Sequence, residues 1–240
     1  MQLIDKPSKQ RTEVRQASLV EAALQLAADR SPADITTGDL AQAVGITQGA
    51  VFRHFPSKEA IWLAALDWVS TTLMRRLKAA AQDALDPALV IHTATSSNDS
   101  GAVDSAPTHA PKATAIAALQ AVFLAHVAFV VAYPGVPRVI FQELQQPQDT
   151  VLKARVRTLM QQYRALLMQL LLQAQQEHLI APQEDLTGAS VLFIGSVQGL
   201  VMQSLLSGNV LAMTNLAPAV FAIYLRGLCA VASDDFESAS

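Results

Sequence analysis

The chain has 240 residues, of which 51% are hydrophobic and 15% charged, so most of it can bury a core. Aromatics are scarce at 5% while Ala and Leu abound, which favours helix over sheet. A net charge of −3 excludes a global electrostatic attraction to nucleic acid, and through residue 60 seven basic residues meet seven acidic ones, so any positive surface has to be local.

A single cysteine, Cys229, excludes an intrachain disulfide framework and a multi-cysteine metal site. The five histidines show no metal-ligand spacing, and no nucleophile–base or carboxylate pair points to catalysis. Neither a metal nor a cofactor is expected. The N-terminal stretch lacks the apolar core of a signal peptide, so the cytoplasm is the natural setting. Ala113 to Tyr133 is long enough to cross a bilayer. His126 lies well inside it, and Lys112 and Arg138 give no clear flanking asymmetry, so the expectation is a buried bundle helix and no membrane association.

In chain order, Glu13 to Asp29 reads as a first helix, ended by Ser31-Pro32. Thr36 reads as an N-cap, with Asp39 three residues on in a capping-box arrangement. The helix it opens runs through Val44 and stops at Gly45, which accepts a left-handed conformation. Thr47 caps a third helix from Gln48 to Phe55. Pro56-Ser57 break the chain, and Ser57 caps a long fourth helix from Lys58 to about Ala84.

The composition then turns to Ser, Thr, Pro and Asp, and 93–111 reads as a flexible loop. Ala113 to Tyr133 is the next helix, closed by Pro134-Gly135. Pro137 to Gln145 is a short helix on which Arg138 and Glu143 read as a structural pair. Thr150 to His178 is amphipathic, with Leu152, Val156, Leu159, Tyr163, Leu166, Leu170 and Ala174 at three- and four-residue steps. Glu184 to Leu206 and Asn215 to Val231 complete the chain before a disordered tail, 233–240. The fold class is all-α, with about nine helices in total. A three-helix helix-turn-helix domain over 10–56, with its motif at 35–54, precedes a helical bundle over 57–232.

Three short helices with a glycine turn between the second and third fit a helix-turn-helix. Leu40, Ala41 and Val44, then Ile46, Val51 and either Phe52 or Phe55, can pack two helices across each other. The outward side of the third helix is left to Gln48, Gly49 and Arg53, a face suited to contact rather than burial.

The run ITTGDLAQAVGITQGAVFRHFPSKEAIW resembles the N-terminal signature of the TetR/AcrR family of transcriptional regulators. The resemblance covers roughly Thr12 to Trp68; beyond that only the architecture is similar. It implies that Thr47 to His54 enter the major groove of an operator. Gln48 would then contact a base edge or a nearby phosphate, with Arg53 at a base or phosphate, and Gly49 would allow close backbone approach. Thr37, Thr47, His54 and Lys58 would contact phosphates, with Thr36 as cap or contact. Phe52 stands where a tyrosine is common, so one hydroxyl contact is missing. Ser31-Pro32 replaces the usual glycine-aromatic pair, and the polar stretch after Asp86 looks like an insertion.

Such modules work as symmetric pairs on half-sites about 34–36 Å apart, so a homodimer is expected. Leu192, Gly195, Ser196, Gly199, Met202 and Phe221 on the last two helices are its expected interface. The resemblance also implies an effector pocket in the bundle, for which Phe123, His126, Val130, Phe141, Tyr163, Leu167 and Gln169 are the expected lining. The run VAYPGVPRVIFQEL is similar to regulators associated with drug efflux, which implies a lipophilic small-molecule effector.

Overall fold

The computed structural model describes residues 6–86 and 114–229, with side chains from Thr12 onward. The expected loop at 93–111 and tail at 233–240 lie outside the described residues. The described residues form nine helices and no strand: α1 Lys6–Asp29, α2 Thr37–Ala43, α3 Gln48–His54, α4 Lys58–Leu85, α5 Ala115–Ala132, α6 Gly135–Gln145, α7 Val151–Gln176, α8 Leu186–Ser207 and α9 Ala212–Leu228. The chain is all-α as its composition predicts. α1 starts seven residues before the predicted Glu13. α9 starts at Ala212 rather than Asn215, and Pro218 lies inside it. Pro218 is exposed, so the lost backbone hydrogen bond faces water.

Contacts divide the chain into two units, one of Met1–Leu73 with Phe129–Gln161 and the other of Met74–Ala128 with Gln162–Ser240. In the first unit, α1 buries Leu19, Val20, Ala23, Leu24 and Ala27, and it packs on α2, α3 and α6. The approach of α6 is the tightest. A Cβ on Gly135 would lie 2.0 Å from the Leu24 carbonyl oxygen and 2.9 Å from the Ala28 nitrogen, both backbone atoms of α1. Only a residue without a side chain fits there. Two hydrogen bonds extend the seam: Arg138 Nε donates to the Ala28 carbonyl at 3.1 Å, and the Ala33 amide donates to Gln142 Oε1 at 3.1 Å. Arg138 and Glu143 therefore do not pair as expected. Glu143 is buried and accepts from the Thr150 hydroxyl at 3.3 Å, and burial raises its pKa.

The core of the second unit is a cluster of rings from four helices. Phe123 of α5 meets Phe193 of α8 edge-on at 5.3 Å and Phe221 of α9 at 5.5 Å, while Tyr163 of α7 and Tyr224 of α9 pack on Phe193. All five residues are at most 4% exposed, and each such side chain contributes about 1.5–3 kcal/mol by leaving water. The partly buried His126 places Nδ1 3.0 Å from the Tyr163 hydroxyl. Burial holds its imidazole well below the ordinary value of 6.5, at about 4.

Two helices, Ala115–Ala132 and Leu186–Ser207, are long and apolar enough to cross a membrane by length and composition. Both supply rings to this cluster, as core helices of a bundle do.

Gly135→Ala is expected to lower the unfolding free energy by about 2–4 kcal/mol, because backbone rather than a flexible side chain blocks the methyl group. Urea denaturation checks this, and an unchanged midpoint would contradict the close α1–α6 approach. His126 predicts a pH effect of definite sign. Its folded pKa lies below its unfolded one, so on acidification the unfolded chain takes up the proton first, and stability declines as pH falls from about 6.5 to about 4. His126→Gln should remove that share of the acid slope; an identical slope in both proteins would count against a buried neutral imidazole.

Candidate nucleic-acid interface

The interface begins with caps. Thr36 Oγ1 accepts from the Asp39 amide at 3.1 Å, and the Thr36 amide donates back to Asp39 Oδ2 at 2.7 Å, which completes the capping box that opens α2. Arg30 adds an ion pair to Asp39 at 3.1 Å. Its guanidinium, with the Thr36 amide and hydroxyl, holds the Asp39 carboxyl well below the usual carboxylate range. Gly45 takes φ +65 in the turn after α2, a left-handed conformation that costs glycine nothing sterically. Thr47 Oγ1 then accepts from the Ala50 amide at 3.2 Å and opens α3, and Ser57 Oγ caps α4 through the Ala60 amide at 3.1 Å.

Burial orients α3. Val51 and Phe55 are buried with Leu40 and Ala41 of α2, so the inward side is apolar. Phe52, the alternative core residue, is 49% exposed instead. Gln48, Gly49 and Arg53 join it on the open side. Gln48 Nε2 donates to Thr37 Oγ1 at 2.8 Å, so the two predicted contact residues meet across the turn. A Cβ on Gly49 would touch nothing within 4 Å. The fold of the chain therefore does not require a glycine there, and what its absent side chain leaves open is the outer surface.

Two further expected contact residues, Thr36 and Lys58, have structural partners as well. The Thr36 hydroxyl is engaged in the capping box on both sides, also donating to Asp39 Oδ2 at 2.7 Å. Lys58 Nζ donates to the Ala33 carbonyl at 2.7 Å, and partial burial lowers its pKa. An ammonium has two further donors, so this bond ties α4 to the α1–α2 connection without exhausting the cation. His54 is part-buried, with Nδ1 enclosed and without a hydrogen-bond partner.

Sequence reasoning missed the residues of α1 that position this surface. Gln16 Nε2 donates to the His54 carbonyl at 2.9 Å, and Arg15 donates to the Val44 carbonyl at 3.4 Å. Each reaches the carbonyl end of a short helix, where backbone acceptors lack intrahelical partners. An amide or guanidinium on α1 carries no signature of such a role; only its place in the fold reveals it.

The other expected sites divide. Of the effector-pocket residues, Phe123, Tyr163 and Leu167 are fully buried, and His126 joins Tyr163 in the second unit. Val130 and Phe141 belong to the first unit. Gln169 is exposed, because the buried line of α7 runs through Tyr163, Leu167, Leu170, Leu171 and Ala174 and leaves position 169 on the far side. Of the interface residues, Leu192, Gly195, Gly199 and Met202 are exposed along α8, while Ser196 is intermediate. Phe221 is 1% exposed and lies in the ring cluster, so it is core rather than surface. On α9 the outward apolar residues are Leu216 and Ile223.

Residues 19–65 match the model of the bacterial regulatory proteins of the tetR family. Among curated relatives, an HTH-type transcriptional repressor of Mycobacterium tuberculosis is 38% identical over 77 residues, 32% of this chain and 41% of that protein. The nucleoid occlusion factor SlmA of Marinobacter nauticus is 33% identical over 72 residues, 30% of this chain and 37% of that protein. The match thus spans well under half the length of these relatives. Solved structures extend the likeness over the bundle. The transcriptional regulator FadR of Bacillus subtilis, in complex with stearoyl-CoA, superposes with a TM-score of 0.66 at 16% identity, over 88% of this chain and 98% of that one. NalD of Pseudomonas aeruginosa, the secondary repressor of the MexAB-OprM multidrug efflux pump, gives 0.59 at 18%, over 92% and 98%. At such identities the likeness is one of fold. Residues 19–65 thus match the N-terminal domain of the tetR family of bacterial regulatory proteins, and the chain as a whole has the fold of these solved regulators.

Proposed function

We propose that the protein is a cytoplasmic, ligand-responsive transcriptional repressor that binds a palindromic operator as a homodimer and is released by a small lipophilic effector. The outward face of α3 carries this reading. Gln48, Gly49 and Arg53 stand exposed on a helix whose other side is anchored by Val51, so the polar groups are held in place without being consumed by packing. An amide that can donate and accept together suits a base edge in the major groove. Thr37 and Thr47 flank it with hydroxyls for phosphate, and Lys58 and His54 are proposed to complete the backbone contacts.

The dimer reading rests on spacing. Leu192, Gly195, Gly199, Met202 and Leu206 follow one another at three- and four-residue steps along α8, and all are exposed. A Cβ on Gly195 or Gly199 would meet nothing within 4 Å, so neither glycine is required by packing inside the chain. Leu216 and Ile223 repeat at a seven-residue interval on the outward side of α9. Such an exposed apolar stripe suits a second copy packed across it.

Release follows from differential affinity. An effector that prefers the conformation in which the paired α3 helices no longer match successive grooves shifts the population away from DNA, and one with equal affinity for both shifts nothing. The His126–Tyr163 pair is the polar handle proposed for an effector in the second unit, in line with apolar pockets that hold few oriented polar groups.

Selection of duplexes from a random pool should recover inverted repeats. Gln48→Ala should relax preference at one position in each half-site, at a cost of about 1–3 kcal/mol in discrimination, whereas equal weakening on every sequence would contradict base reading. Leu192→Asp should yield a folded monomer by sedimentation with operator affinity reduced at least about a hundredfold; a variant that stays dimeric would remove α8 from the interface.

A further inference from the structure

Beside the seam of α6 on α1 lies a cleft of about 500 Å³. One wall is α1, where Glu21, Leu24 and Gln25 face it; the others are Trp68 of α4 and the joint between α5 and α6 at Tyr133 and Pro134. All of these belong to the first unit. The volume falls within the range of small-molecule sites, about 300–1,000 Å³. None of the residues expected to line an effector pocket takes part.

The chemistry of the walls is one-sided. Trp68 and Tyr133 stand nearly perpendicular, with ring centroids 4.9 Å apart and planes at 80°. In such a pair one ring offers its edge to the other's face, and Tyr133 also packs on Phe129 with centroids 5.0 Å apart. Glu21, exposed at the rim and accepting from Gln25 Nε2 at 3.3 Å, is the one carboxylate among the lining residues, and no lysine or arginine is among them. Arg138 approaches the lining residue Ala28 only through its backbone carbonyl. Aromatic faces attract cations through the ring quadrupole, and a carboxylate adds to that attraction. No lining residue offers an anion a positive charge.

From this we propose that the cleft is a binding site for a bulky aromatic organic cation, separate from the ring cluster of the second unit. Its floor is the α1 stretch on which Gly135 and Arg138 sit, so an occupant bears on the helix that positions α3. Any consequence for transcription rests on the DNA-binding reading, whereas occupancy of the cleft does not.

Isothermal titration calorimetry of the full chain without DNA tests occupancy. Two probes of equal shape and opposite charge serve, tetraphenylphosphonium and tetraphenylborate. Tetraphenylphosphonium should bind one per chain, at least about tenfold tighter than tetraphenylborate. Glu21→Gln should weaken it about three- to tenfold and Trp68→Ala about tenfold or more. Glu21 is exposed, so its variant keeps the fold and remains decisive if Trp68→Ala does not fold. Equal binding of the two probes, or tetraphenylphosphonium affinity unchanged by Glu21→Gln, overturns the proposal. Tetraphenylphosphonium binding in a chain that recovers no duplex would leave the site standing and remove the repressor reading.

Discussion

Where α6 crosses α1, backbone rests on backbone. The Leu24 carbonyl occupies the space that a side chain at Gly135 would need, and the hydrogen bonds of Arg138 and Gln142 fasten the end of α1 and the connection beyond it. A contact of this kind has little give, because bond geometry resists sliding more than flexible side chains do. α1 in turn holds the two short helices by their carbonyl ends, through Arg15 and Gln16, and by the Arg30–Asp39 ion pair. The direction of α3 is thus set by a sequence of short, directional contacts that starts at one glycine. The exposed Arg30–Asp39 pair contributes orientation more than stability, since solvent screens it.

This arrangement lets α3 be small. Seven residues cannot hold themselves helical in water. Thr47 caps one end, Val51 and Phe55 anchor the inner side, and Gln16 satisfies the His54 carbonyl at the other. With both ends and one side fixed, Gly49 and Arg53 are left outside the packing, and Gln48 adds only its bond to Thr37. A recognition surface requires that division: residues free to vary with the target, on a scaffold that does not depend on them.

Local chemistry was legible in the sequence, and tertiary partners were not. Thr36, Thr47 and Ser57 announced three helix starts, because a hydroxyl before an apolar run has one common use. Gly45 announced its turn because glycine accepts the left-handed conformation that ends a helix. By local pattern Gly135 is merely a helix breaker beside Pro134. Its steric role depends on a helix more than one hundred positions earlier, which no local pattern encodes. The phase of α9 went astray likewise: Phe221 and Ile223 are equally apolar, and only the packing of α8 decides which is buried. Between Phe55 and Phe52 the sequence leaves the choice open, and burial settles it for Phe55. The cleft at Trp68 was invisible, since its walls come from stretches far apart in the chain.

Hydrogen–deuterium exchange, with and without a duplex recovered from a random pool, measures most directly whether the surface held by these contacts is the one that meets DNA. The expected result is slower exchange over 36–58 with exchange over 163–176 unchanged. Protection confined to α7, α8 or α9, with 36–58 unaffected, would mean that DNA is met elsewhere and that the polar face of α3 is ordinary solvated surface.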